Sequence, residues 1–269
     1  MLRQRLLAII VLLPIGMVFI MAGGAWFVGF ICLILGVAAW EFWRMFQQGG
    51  FAPSAPILIG GTALLPLARV YPQVLPPDVL FLVVVLAAMT WHVFSYERGQ
   101  EHAATDFCIT LGGVAYLGWL GSYLAALRAI PNGLYWFMLA LPAVWLADTG
   151  AYVIGRRWGR HRMAPRVSPK KSWEGYFGGV LFAVIGSAGM GALGHLTVPA
   201  ITAFNGAVMG GVLSVLAPMG DLGESMIKRQ FGVKDSSRLI PGHGGIMDRI
   251  DSWIWAAAIG FYLIIWFWK

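Results

Sequence analysis

The chain has 269 residues, of which 59% are apolar and only 12% are charged. This composition excludes an ordinary water-soluble globular domain, because too few polar residues are present to cover its surface. The sequence therefore predicts a protein that is solvated largely by lipid and carries a net charge of +7 on its polar faces.

Nine stretches are apolar enough to cross a bilayer as helices, which takes about 20 residues and satisfies the backbone polar groups internally. In chain order they are Leu6–Met21, Ala25–Trp40, Ala55–Val70, Val79–Val93, Leu111–Ile130, Tyr135–Ile154, Tyr176–Leu196, Val198–Met219 and Trp253–Trp268. The first stretch also resembles a cleavable signal peptide, but the whole chain is apolar in the same way, so a transmembrane helix is the simpler interpretation. We therefore predict an all-α, polytopic integral membrane protein with about nine transmembrane helices.

The lysines and arginines indicate how these helices are oriented. If the N-terminus is cytoplasmic, only Arg69, Arg128 and Lys269 among the 19 basic residues lie outside. The positive-inside rule favours this orientation. We therefore expect the N-terminus and the basic loops to face the cytoplasm. Topology and attraction to anionic lipid headgroups alone would also explain such a basic face.

Five acidic residues are expected near the cytoplasmic ends of the predicted helices. In chain order they are Asp148 at the end of the sixth stretch, Asp221 and Glu224 at the end of the eighth, and Asp248 and Asp251 at the start of the ninth. Ionisable groups at membrane depth are costly, so they usually pair, bind ions or line a wet cavity. The acids therefore mark the candidate functional face.

The spacing of polar residues after Met219 predicts a helix that carries them on one face. If the eighth helix continues past Met219, four side chains recur at helical spacing, namely Asp221, Glu224, Ser225 and Lys228. Asp248 and Asp251 are also three residues apart, and such a pair can bind hard cations that hold substrate phosphates. A surface ladder of ion pairs explains the same spacing equally well.

Two glycine-bearing segments favour phosphate chemistry over a ladder of ion pairs. Residues 150–179 contain a basic loop whose small residues let the backbone approach phosphate oxygens, although no Walker motif is present. In residues 240–251, Pro241 and three glycines lead to a predicted helix start, where exposed N–H groups favour anions. Capping of that helix is the alternative role for Asp248.

These motifs resemble the C-terminal signature of the phosphatidate cytidylyltransferase family. The family pattern is Ser-x-x-Lys-Arg, four residues, Lys-Asp, then a proline or glycine before His-Gly-Gly and Asp-Arg-x-Asp. The chain matches this pattern without departure at residues 225–229, 234–235, 241–245 and 248–251. Residues 148–152 and 168–174 are also similar to family segments.

The resemblance covers about the C-terminal half of the chain and suggests a division in two. Residues 1–130 are expected to hold transmembrane helices without a catalytic motif. Residues 131–269 are expected to form the transmembrane catalytic region, with cytoplasmic loops at 155–175 and 220–252.

The resemblance implies transfer of CMP from CTP to phosphatidic acid, which gives CDP-diacylglycerol and pyrophosphate. It implies a magnesium cofactor held by Asp221, Asp248 and Asp251, with a second cation such as potassium left open. The implied catalytic set is Asp221, Lys228, Arg229, Lys234, Asp235, His243, Asp248 and Asp251. The implied substrate-binding set is Asp148, Ser168, Lys170, Lys171, Ser172, Glu174, Glu224, Ser225 and Arg249.

The expected partners are CTP, phosphatidic acid and membrane lipids, with a homodimer left open and no nucleic acid. His243 is expected to bind phosphate or hold its turn, because a phosphate monoester is already mostly dianionic at neutral pH and leaves a general base little to remove. Two other functions compete with this interpretation. One is a CTP-dependent lipid kinase, which would release CDP, and the other is a transporter for an anionic solute with intramembrane charges and broken helices.

Overall fold

The structure is a computed structural model that describes residues 2–240, 242 and 244–268, with side chains described at residue 10 and from residue 12 onward. Pro241, His243 and Lys269, which the sequence analysis uses, lie outside the described residues. Within them, helices account for nearly all regular structure, and one short hairpin supplies the strands. The predicted all-α class is therefore confirmed.

Each of the nine predicted apolar stretches overlaps a helix. Within the described residues, seven helices are long and apolar enough to cross a membrane, and two apolar helices are shorter. The long ones are Gly24–Gln48, Pro77–Glu97, Ala103–Ala129, Gly133–Trp158, Trp173–His195, Ala203–Gln230 and Met247–Phe267. The shorter ones are Leu12–Ala22 and Ala55–Val70. These helices confirm a polytopic membrane protein, whereas the side of the membrane that each end faces stays a prediction.

The chain forms two compact units, and the first contains the described residues up to 129 together with residues 230–250. Its helices are α1 (Leu2–Ala22), α2 (Gly24–Gln48), α3 (Ala55–Val70), α4 (Pro77–Glu97), α5 (Ala103–Gly113), a π-helical segment (Val114–Leu120) and α6 (Tyr123–Ala129). Leu65, Leu80, Val84 and Val114 are buried together in its core.

The second unit contains residues 130–229 and the described residues from 251 onward. Its elements are α7 (Gly133–Trp158), β1 (Arg162–Ala164), β2 (Ser168–Ser172), α8 (Trp173–His195), α9 (Ala203–Leu216), α10 (Pro218–Gln230) and α11 (Met247–Phe267). The last residue of α10, Gln230, and the residues of α11 up to Ile250 belong to the first unit. The two strands pair antiparallel and form a hairpin between α7 and α8. This hairpin occupies part of the loop predicted at 155–175.

The predicted eighth span differs most from the structure. Helix α9 begins only at Ala203, where Thr202 and Asn205 form a capping box, and it ends at Leu216. Pro218 begins α10, which suits a helix start because proline lacks the N–H group that an interior position would need. Helix α10 continues to Gln230, so the predicted continuation past Met219 is confirmed.

Candidate active site

Helix α10 carries a polar face that is largely buried. The Ser225 hydroxyl donates a hydrogen bond of 3.1 Å to Asp221 Oδ1. Lys228 Nζ lies 3.2 Å from Glu224 Oε1, and both side chains are buried in the second unit. The four residues therefore lie on one face of the helix, as their spacing predicted.

Helix α11 adds a further carboxylate to this face through Asp251. The Asp251 carboxylate lies beside Glu224 and interacts electrostatically with Asp221 and Lys228. Helix α10 comes close to α11 at Gly220, where a Cβ atom would collide with the backbone carbonyl of Asp251. Neighbouring carboxyl groups repel one another unless a proton or a cation lies between them.

Helix α7 and the hairpin complete the group. Lys171 Nζ on β2 lies 2.5 Å from Asp221 Oδ2. Asp148 on α7 interacts electrostatically with Lys171, Asp221 and Asp251. We call this group the acidic cluster, and its members are Asp148, Asp221, Glu224 and Asp251 with the two lysines Lys171 and Lys228. Because carboxylates outnumber lysines, the cluster has the charge to accept a cation.

A basic cavity of about 520 Å³ adjoins the acidic cluster. Asp148 and Lys171 belong to both, and the cavity is also lined by Arg156, Arg162 and Lys170. A volume of this size suits a small-molecule ligand. Arginine and lysine side chains are the usual binders of phosphate groups, so the cavity is suited to a phosphorylated ligand.

The hairpin that bears the cavity lysines is fixed by two residues predicted to bind substrate. The Glu174 carboxylate accepts hydrogen bonds from the backbone N–H of Arg160 at 3.1 Å and of His161 at 3.2 Å. The Ser172 hydroxyl accepts from the N–H of Gly175 at 3.2 Å and caps α8. Direct substrate binding by Ser172 and Glu174 stays a prediction, whereas their structural contacts hold the strand end that carries Lys171.

Asp248 is engaged within the first unit. Its Oδ2 atom accepts hydrogen bonds from the N–H and hydroxyl of Ser236 at 2.9 and 2.8 Å and from the N–H of Gly245 at 2.8 Å. This arrangement resembles the capping role that the sequence left open, because Asp248 satisfies N–H groups beside the start of α11. Metal binding by Asp248 stays a prediction.

The other predicted residues are distributed between the two units. Lys234, Asp235 and Arg249 lie exposed in the first unit, and Arg229 lies exposed in the second. Ser168 and Lys170 lie on strand β2 of the second unit. His243 lies outside the described residues, so its role stays a prediction.

Glu41 is not among the predicted site residues, and it lies one residue beyond the predicted second span. Glu41 is completely buried, and it accepts hydrogen bonds from the N–H groups of Ile246 and Met247 and from two serine hydroxyls of the first unit. An acidic residue at the end of an apolar stretch is costly unless it is satisfied. The position of Glu41 at the end of an apolar stretch could therefore have indicated a buried acid that is hydrogen-bonded, although it did not identify the residues that donate to it.

The resemblance implies a magnesium ion, which would need oxygen ligands from the carboxylates of the acidic cluster. Among the described residues, no group of three or more His, Cys, Asp or Glu side chains is arranged to hold a metal ion. Magnesium is usually bound through one or two carboxylates, with waters and substrate phosphates as further ligands. Asp221 and Asp251, which interact electrostatically within the acidic cluster, fit this mode of binding.

Comparison with known proteins identifies similar chains. The model of the cytidylyltransferase family matches residues 3–267. A phosphatidate cytidylyltransferase of Pseudomonas aeruginosa is 36% identical, over 99% of this chain and 97% of its own length. The protein of the same name from Synechocystis is 32% identical over 97% of this chain and 96% of its own length. One from Staphylococcus epidermidis is 38% identical over 67% of this chain and 68% of its own length.

Proposed function

The chain belongs to the cytidylyltransferase family, and we propose that it transfers CMP from CTP to phosphatidic acid, giving CDP-diacylglycerol and pyrophosphate. The observation that carries this proposal is the acidic cluster beside a basic cavity of about 520 Å³ in the second unit. Similar proteins over nearly the full chain bear the name phosphatidate cytidylyltransferase, which supports the assignment of both substrates.

In the proposed reaction, a phosphate oxygen of phosphatidic acid attacks the α-phosphorus of CTP. The bond from that phosphorus to the oxygen bridging to the β-phosphorus breaks, and pyrophosphate leaves with the electron pair. The phosphatidate monoester is mostly dianionic at neutral pH, since its second pKa is about 6, so no protein base is required. The main obstacle is repulsion between two anions.

Lysine and arginine side chains of the second unit are placed to reduce that repulsion. Lys170, Lys171, Arg156 and Arg162 line the cavity, where they are placed to neutralise the triphosphate and the lipid phosphate. Lys171 is held by its ion pair with Asp221, so it is positioned before substrate arrives. Positioning and charge neutralisation supply most of the catalysis in reactions of this kind.

We assign Asp221 and Asp251 as the residues that would hold magnesium, with Asp148 and Glu224 beside them. When bound, the metal supplies positive charge to phosphate oxygens. Glu224 is paired with Lys228, which places a further carboxylate and a lysine beside the Asp251 carboxylate. A second cation such as potassium, and a homodimer, stay predictions.

We place the active face in the cytoplasm, with the chain in a bacterial inner membrane. The two described arginines expected outside are engaged in local structure, which accounts for their departure from the positive-inside pattern. Arg128 Nε donates to the carbonyl of Ile20 at 2.9 Å. Arg69 stacks on the rings of Tyr123 and Trp119, at 3.9 and 4.5 Å from their centroids.

Cysteine labelling tests this orientation. Cys32 and Cys108 are first replaced by alanine, because both are free thiols. In that background Arg166→Cys, near His161, should react with a membrane-impermeant reagent only from the cytoplasmic side, and a cysteine beside Lys269 only from outside. Reaction of both from the same side would contradict the proposed topology.

The activity is tested by following the fate of CTP with purified protein in detergent–lipid micelles. Pyrophosphate should appear only when CTP, phosphatidic acid and magnesium are all present, together with CDP-diacylglycerol. Release of CDP would favour a lipid kinase instead. No turnover in micelles, combined with uptake of an anionic solute into vesicles, would favour a transporter.

A further inference from the structure

We propose that Glu41 is a positioning residue that holds the turn of residues 236–247 in the arrangement needed for substrate binding, a role that rests on the proposed function. Glu41 lies on α2, about two hundred positions before this turn in the chain. Both lie in the first unit, and the described residues of this turn include Gly242, Gly244 and Gly245 of the signature.

The Glu41 carboxylate accepts two hydrogen bonds at each oxygen. Oε1 accepts from the hydroxyl of Ser237 at 2.6 Å and from the N–H of Ile246 at 3.0 Å. Oε2 accepts from the hydroxyl of Ser236 at 3.0 Å and from the N–H of Met247 at 2.8 Å. A single side chain therefore binds both ends of the turn.

The surroundings of the Glu41 carboxylate supply hydrogen-bond donors to both of its oxygens. Glu41 has a relative exposure of 0%, and the partners found among the described residues are hydroxyl and N–H groups rather than basic side chains. Two of them are N–H groups at the start of α11, where the helix dipole favours a negative charge. Hydrogen bonds from several donors to one buried carboxylate make its geometry specific.

The turn is built to approach Glu41 closely. A Cβ atom at Gly245 would lie 2.5 Å from both carboxylate oxygens of Glu41, so only glycine fits there. Gly244 has a φ of +82°, a conformation that favours glycine, and a Cβ atom there would lie 2.6 Å from Asp248 Oδ2. The conformation of the glycine-rich segment is therefore matched to these two carboxylates.

Ser236 links the two carboxylates into one network. Its hydroxyl lies 3.0 Å from Glu41 Oε2 and 2.8 Å from Asp248 Oδ2, so its single proton is shared between these two oxygens, and its N–H donates to the same Asp248 atom. Glu41 thus acts on the turn through Ser236 and through the backbone of Ile246 and Met247. It needs no contact with substrate to affect how the turn binds phosphate.

The first test is the kinetics of Glu41→Gln. The amide keeps the size of the side chain but places an NH2 group against hydroxyl and N–H donors. The hydrogen bonds that hold the turn should therefore weaken, and its conformation should change. We expect the KM for CTP or for phosphatidic acid to rise about tenfold, the scale of losing a residue that orients binding groups. Partial unfolding alone lowers the active fraction and leaves KM unchanged.

Two further variants keep the test decisive if Glu41→Gln folds poorly. Ser236→Ala combined with Ser237→Ala removes two of the four donors, and we expect its KM to rise in the same direction. Glu97→Gln is the matched control, because Glu97 is an exposed acid at the end of α4 and lies outside the proposed machinery. The positioning role of Glu41 would be overturned if KM stayed within twofold of the wild-type value in the double-serine variant and in any folded Glu41→Gln protein.

Hydrogen exchange supplies a measurement that does not depend on turnover. In wild type, the N–H groups of Ile246 and Met247 are bonded to Glu41, so they should exchange slowly. Glu41→Gln should speed their exchange at least tenfold relative to Glu97→Gln. Unchanged exchange there would overturn the positioning role, whereas a wild type that releases no pyrophosphate would overturn the proposed function alone.

Discussion

Glu41 and Asp248 in the first unit accept hydrogen bonds from hydroxyl and backbone N–H groups, whereas Asp221 and Asp251 in the second unit lie against lysines and other carboxylates. Donor-rich surroundings fix a carboxylate in one orientation and satisfy its charge. Surroundings that contain other acids leave negative charge to be neutralised by a cation. The same residue types therefore serve different purposes in the two units.

This contrast separates two kinds of variant. Removing an acid of the second unit should affect the chemistry and its dependence on magnesium. Removing an acid of the first unit should affect the conformation of the turn, with activity lost as a consequence. Single substitutions in the two units should therefore differ in their effects on turnover, on magnesium dependence and on hydrogen exchange.

Asp251→Asn should cause the largest loss of activity. Asp251 interacts electrostatically with both Asp221 and Lys228, so its charge is central to the acidic cluster. We expect kcat/KM to fall on the order of 100- to 1000-fold, as when one preorganised group that stabilises developing charge is lost. The measurement is pyrophosphate release at several magnesium concentrations.

The control for that variant is Asp78→Asn, which removes an exposed acid in the first turn of α4. It should retain wild-type turnover and membrane insertion. Wild-type-like turnover of Asp251→Asn at ordinary magnesium concentration would show that Asp251 does not hold the metal.

Asp248→Asn should lower turnover about 10- to 100-fold, which is the usual effect of removing a residue that orients binding groups through hydrogen bonds. Its Oδ2 atom accepts from Ser236 and Gly245, so exchange of those two N–H groups should become faster. The magnesium dependence of the remaining activity should match that of the wild type. A large shift in magnesium requirement with unchanged exchange would instead support the metal role that the sequence predicted for Asp248.

Lys171→Gln should raise the KM for CTP about tenfold, since it removes a charge-assisted contact to phosphate worth roughly 1.5 to 3 kcal/mol. Lys171 is half-buried and paired with Asp221, whereas Lys170 is exposed beside it on β2. Lys170→Gln should therefore have a smaller effect. Equal effects of the two variants would indicate that only the net charge of the hairpin matters.

The sequence predicted features that depend on local pattern. Apolar length predicted the membrane helices, and helical spacing placed Asp221 and Lys228 on one face of α10. The hairpin at 162–172 was not predicted, because its basic residues show no alternation of apolar and polar positions. The partnership of Glu41 with Ile246 and Met247 could not be predicted either, since no local pattern specifies a contact between distant segments.

The smallest expected effect separates capping from substrate binding at Ser172. Ser172 caps α8 and lines the basic cavity, whereas Thr202 caps α9 and lies outside the residues that line that cavity. Ser172→Ala and Thr202→Ala should each destabilise the protein by about 1 kcal/mol, the usual cost of losing a cap. Thermal unfolding in detergent, followed by circular dichroism, should show similar shifts for the two variants.

Kinetics should then distinguish the two variants. Ser172→Ala should also raise the KM for CTP about threefold, which corresponds to one neutral hydrogen bond of about 0.7 kcal/mol, whereas Thr202→Ala should leave KM unchanged. Equal KM values in both variants would assign Ser172 to capping alone, and substrate phosphate would then be bound by the cavity lysines and arginines. A much larger rise for Ser172→Ala, with the same loss of stability, would mean that the end of strand β2 directly orients the reacting phosphate.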